Sequence, residues 1–118
     1  MNVEAEINRY SKLNGSPISD YRDILCVCGG EKFNLYSDDD EGGAYLKCEN
    51  CNVEHDLMNS KKYIESEFQN TCSCGNEELG IGVGITTHQN SDDPLWVYIG
   101  ASCEVCGLVG VYVDWKER

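Results

Sequence analysis

The chain has 118 residues, 41% of them hydrophobic and 25% charged, and 21 acidic against 9 basic residues give a formal net charge of -12. This length admits one ordinary domain or two very small ones, and a very small domain has too thin a core to offset its chain entropy without a metal or disulfide staple. A surface this acidic repels phosphate backbones and attracts basic partners, and no apolar stretch approaches the roughly 18–20 residues that cross a bilayer.

At the N-terminus Val3, Ile7 and Tyr10 fall on one helical stripe, with acidic residues early and Lys12 late, so a short helix is predicted. Asn14, Gly15, Ser16 and Pro17 end it, and the chain up to Asp23 reads as a linker. The segment 1–13 carries no signal-peptide hydrophobic run. The expectation is a cytoplasmic, reduced protein without a membrane association, which favours metal over disulfides at its eight cysteines.

From Ile24 onward two stretches can be laid over each other. Cys26 and Cys28 are followed by Cys48 and Cys51, and Cys72 and Cys74 by Cys103 and Cys106, which gives C-x-C and then C-x-x-C twice in the same order. The first repeat reads as strands over 32–36 and 44–47 around a polar turn, with an edge strand over 52–58. In the second, strands are expected over 79–86, 95–101 and 108–115, with a polar loop at 88–94. Between the repeats, 60–68 reads as either a short helix or an extended tether. The predicted organisation is helix and linker over 1–23, a first unit over 24–58, a linker over 59–70 and a second unit over 71–118. The fold class is mainly β: two tandem antiparallel units with a short N-terminal helix, either separate or packed as one body.

Close cysteine pairs on separate turns suit a tetrahedral ion bound by four thiolates. Gly29 and Gly75 after the first pair of each repeat, and Gly107 after the last, supply the left-handed backbone such turns need. Cys51 is followed by Asn52, the next most permissive residue. On these motifs each repeat resembles the zinc-ribbon folds of transcription factors, polymerase subunits and ribosomal proteins, most clearly the second. The resemblance implies two structural zinc ions per chain, held by Cys26, Cys28, Cys48 and Cys51 and by Cys72, Cys74, Cys103 and Cys106. Zinc ribbons usually carry C-x-x-C-G at both knuckles, whereas both first knuckles here are one residue shorter. That departure leaves open ligation across the repeats, or iron in a rubredoxin-like site.

His55 and His88 read as surface or edge-strand imidazoles, since each repeat already has four sulfurs. A zinc bound by four protein ligands has no position for water or substrate, so no enzyme and no small-molecule substrate is expected. Gly80, Gly82 and Gly84 alternate with apolar residues and no helix is predicted after them, so they mark a strand that another element approaches closely, and not a nucleotide loop.

The strands of the second repeat are near-continuous apolar runs, which requires both sheet faces to be covered. The first repeat and the helix can do this; alternatively Trp96, Tyr98 and Tyr112 form an aromatic face left for a partner. Together with Asp38, Asp39, Asp40, Glu41, Asp92 and Asp93 they are the candidate partner-binding residues. The predicted function is a non-enzymatic acidic interaction module for a basic protein, with an immunity-type inhibitor of a toxin or nuclease as a specific role. The alternative is a ribbon subunit of a transcription or translation complex. Direct nucleic-acid binding needs a basic footprint, and among the nine basic residues only Lys61 and Lys62 are adjacent.

Overall fold

The computed structural model describes residues 2–117. Helix α1, Val3–Leu13, starts at Asn2, whose side chain accepts from the Ala5 amide at 2.7 Å. Glu4 and Glu6 in its first turn and Lys12 in its last complement the helix dipole. Eight strands follow: β1 Asp20–Asp23, β2 Phe33–Asp38, β3 Gly43–Cys48, β4 Glu54–Leu57, β5 Phe68–Asn70, β6 Gly80–Thr87, β7 Pro94–Ser102 and β8 Val109–Lys116. They form two four-stranded antiparallel sheets, ordered β1-β6-β7-β8 and β4-β3-β2-β5.

The six strands expected within the repeats are all present. Both stretches expected to be linkers also carry strands, which corrects that expectation. Asp20–Asp23 pairs with β6, and Phe68–Asn70 pairs with β2 after a single 3-10 turn at Lys61–Tyr63. The cause is the same in both places. β2 and β6 each open the three-strand meander of their repeat, and an extended segment alongside satisfies their outer backbone groups. The two sheets are therefore built alike, each a meander with one added strand beside its first member.

The repeats meet through equivalent residues. Phe33 and Leu79 each lie seven positions after the first cysteine of their repeat. They form a two-way bridge, with the Phe33 amide donating to the Leu79 carbonyl at 2.8 Å and the Leu79 amide returning the bond at 2.9 Å. Because the two residues are equivalent positions of their repeats, the contact is isologous in form. Around it Leu35, Leu46, Ile81, Val97, Ile99 and Val113 form one core between the sheets. The Cα radius of gyration is 13.5 Å, about what one compact body of this length should have.

The other face of the second sheet lies under α1. Val3 and Ile7 pack there with Tyr98, and the strand glycines make room: a Cβ at Gly84 would stand 2.5 Å from Ile7 Cγ2, and one at Gly100 would be 2.8 Å from Val3 Cγ1. Both faces of the apolar strands are thus covered, by the first repeat and by the helix. Among the described residues no helix is long and apolar enough to cross a membrane.

Candidate metal centres

Each centre is made from two turns that bring their sulfurs together. In the short first turn, the Cys26 amide donates to Gly30 O at 3.0 Å and the Gly29 amide to Cys26 O at 2.8 Å; the second repeat matches with Cys72 to Asn76 O at 2.9 Å and Gly75 to Cys72 O at 2.8 Å. Gly29 and Gly75 take φ of 87° and 95°, where a side chain is strained. The second turn is one residue longer, closed by the Asn52 amide to Cys48 O and the Gly107 amide to Cys103 O, both at 2.8 Å. Asn52 and Gly107 are again left-handed, at 63° and 81°. The shortened knuckle therefore only tightens the turn by one residue and keeps the left-handed position after its second thiol.

The sulfurs of Cys26, Cys28, Cys48 and Cys51 all lie within 4.8 Å of one another, as do those of Cys72, Cys74, Cys103 and Cys106. Grouping within each repeat rules out ligation across the repeats. Cys26 faces Cys51 at 3.5 Å and Cys28 faces Cys48 at 3.6 Å, and the same order gives 3.3 Å for Cys72–Cys106 and 3.6 Å for Cys74–Cys103. A tetrahedron with ligands about 2.3 Å from its centre has edges of about 3.8 Å, so either group could hold one metal ion. All eight cysteines are free thiols, and these separations are well beyond a disulfide bond of about 2.05 Å. In each group the first and third cysteines are buried and the second and fourth exposed, so half of each sulfur cage is anchored in the core.

Two asparagines not singled out from the sequence complete the centres. Asn50 Nδ2 donates to Cys28 Sγ at 3.4 Å, and Asn76 Nδ2 to Cys103 Sγ at 3.3 Å. Cys28 is lowered to about 6, by the Asn50 amide first and then by the Gly30 amide; Cys103 falls to about 6 through Asn76 and the Cys106 amide. Cys51 and Cys106 are pushed up to about 12. The amides of Val53 and Leu108 favour their thiolates but are outweighed by sulfur contacts, chiefly with Cys26 and Cys72, and by burial. A divalent cation that binds such proton-sharing thiols displaces their protons to solvent. Gly30 is required for space, since a Cβ there would be 2.9 Å from Cys48 Sγ.

Neither histidine belongs to a sulfur group. His55 lies on edge strand β4 and His88 is exposed after β6. The candidate partner residues do not form one surface. Asp39, Asp40, Glu41, Asp92 and Asp93 are exposed. Asp38 is buried, its carboxylate accepting from the amides of Asp40, Glu41, Glu65 and Ser66 at 2.9–3.1 Å. These bonds, Ser66 first, hold it below the usual carboxylate range. Tyr98 is fully buried under α1, donating to Ser16 O and accepting from Asn14 Nδ2, each at 2.9 Å. Trp96 is half-buried on the helix side, its Nε1 donating to Asp114. A bulge opposite Ile99 and Gly100 makes Tyr112 the extra residue of β8 and packs it against the core between the sheets. The alternative of an aromatic face left for a partner is therefore not formed: its three members lie on both sides of the sheet, one of them wholly enclosed. Comparisons with protein-family models, curated proteins and solved structures found no match.

Proposed function

We propose that this chain is a non-enzymatic, acidic protein-interaction module of the zinc-ribbon kind, held in shape by two structural zinc ions. The observation that carries the reading is the closed form of both sulfur groups. Four converging thiols use every position of a tetrahedral ion, so the metal serves the fold and not a reaction. Soft thiolate ligands in this geometry select zinc, with iron as the competitor. Each filled centre also adds about two negative charges to a chain already at -12.

What remains for function is an acidic exterior, and its natural complement is a basic protein surface. Charge of this size accelerates encounter and suppresses wrong partners. The specific role we propose is an immunity-type inhibitor that covers the cationic face of a nuclease toxin in the cytoplasm. Such a protein has to be small, acidic and without chemistry of its own.

Elemental analysis of the purified full chain should give close to two zinc ions per molecule. Metal content near zero, or stoichiometric iron, would overturn the zinc assignment. For the partner, affinity capture from the native host at low and moderate salt should recover a basic protein that is lost as salt rises. Recovery of RNA or DNA instead would favour a ribbon subunit of a transcription or translation complex.

A further inference from the structure

Where β1 and β4 form the outer edges of their sheets, a cleft of about 450 Å3 opens between the two layers, within the roughly 300–1,000 Å3 usual for binding sites. Neighbouring residues of both strands line it: Asp20, Arg22 and Asp23 from β1, and His55, Asp56 and Leu57 from β4. Successive strand residues point to opposite faces, so a strand that contributes neighbours presents its edge. Among the described residues β1 pairs only with β6, and β4 only with β3. The cleft is thus flanked by two rows of backbone amides and carbonyls with no strand beside them.

The floor is apolar, with Val83 and Ile85 from β6 and Met58 just past β4. Met58 is held there at φ 56°, a conformation that costs free energy in a residue with a side chain. The rim is acidic. Asp20, Asp23 and Asp56 outnumber the one cation of the lining, Arg22; Asp23 already accepts from the Tyr21 hydroxyl at 2.7 Å and Asp56 from the Lys61 amide at 2.9 Å, and none of the three takes part in the ion pairs of the described residues. His55 of the lining packs edge-on against Phe33 at 5.5 Å, and its Nε2 is buried without a hydrogen-bond partner among the described residues.

We propose that this cleft is the docking site for an extended, lysine- or arginine-bearing segment of a protein partner, which adds as a strand along the open edges of β1 and β4. Its backbone pairs with the edge, an aliphatic side chain meets Val83 and Ile85, and a cationic side chain reaches Asp20 and Asp56. The rim charges disfavour a second copy of this chain, whose net charge is -12, and favour a basic strand. The proposal rests on the reading of the chain as a module for a basic protein and specifies where that protein binds.

The test is amide NMR on the zinc-loaded full chain at low salt, titrated with a capped seven-residue peptide alternating lysine and valine. Shifts should be confined to 20–25, 54–58, 83 and 85, with a dissociation constant below about 1 mM. The double variant D20N/D56N, changed only at exposed positions, should bind at least about fivefold more weakly. N-methylation of alternate peptide amides should abolish binding. Equal binding by the N-methylated peptide, or by an alternating glutamate–valine peptide, would overturn the proposal. Shifts at 38–41 and 92–93 instead would overturn the cleft but leave the basic-partner reading standing. If the lysine peptide gives no shift and a single-stranded oligonucleotide does, both fail.

Discussion

Asn50 and Asn76 do the same chemistry from different places. In the first repeat the donor to sulfur comes from the second knuckle, and in the second repeat from the first knuckle. Outer partners of this sort typically change metal affinity by about 10–100-fold, so Asn50→Ala and Asn76→Ala should each release one metal equivalent about tenfold more readily to a competing chelator, with the other site unaffected. The eight sulfurs were legible because their spacing repeats. The asparagines were not, because aligning the repeats sets Asn50 against Val105 and Asn76 against Gly30, and an asparagine in a knuckle reads as a turn former. Asp38 was legible only as part of an acidic run, and burial gives it another role. Its carboxyl is lowered below its ordinary 3.8, so it contributes stability that is complete above that value and lost as pH falls through the lower folded one. Asp38→Asn, which keeps the shape but loses the charge and one acceptor, should melt at a lower temperature than the parent by a gap that stays constant from about pH 8 to about pH 5.

At the level of elements, α1 and the second sheet are joined by a glycine track. Filling it with Gly84→Ala should cost about 1–3 kcal/mol through overpacking against Ile7, and emptying it with Ile7→Ala about 2–5 kcal/mol through the cavity left. Combined, the two changes should cost less than their sum, because the new methyl enters space vacated by the old side chain; denaturant unfolding of the four proteins measures this coupling. The alternation of Gly80, Gly82 and Gly84 with apolar residues announced the close approach, although not what approaches. β1 and β5 were illegible for a different reason. Asp20–Asp23 is short and has only Tyr21 as a half-buried residue, so no period-two pattern can emerge, and what makes it a strand is the open side of β6. The bulge at Tyr112 likewise turns one aromatic to the opposite face, which a regular alternation cannot foretell.

Taken whole, the molecule has one core between its sheets, with Cys26, Cys48, Cys72 and Cys103 all part of it. Loss of either ion should therefore be felt in both halves. Cys51→Ser, although it touches only the first centre, should reduce hydrogen-exchange protection in β6 and β7 as well as in β2 and β3, in a single cooperative transition. Selective loss in the first repeat alone would show that the halves are independent. One compact body was among the readings the sequence allowed, because near-continuous apolar strands need cover on two faces; which surfaces supply it is fixed by the reciprocal bridge of Phe33 and Leu79. That bridge also makes the chain a dimer written on one polypeptide. The segment 59–70 turns an encounter between halves into an intramolecular event, at an effective concentration on the order of millimolar. Two separately expressed halves, cut within 59–70, should find each other only when concentrated, whereas the intact chain holds both cages together at any dilution.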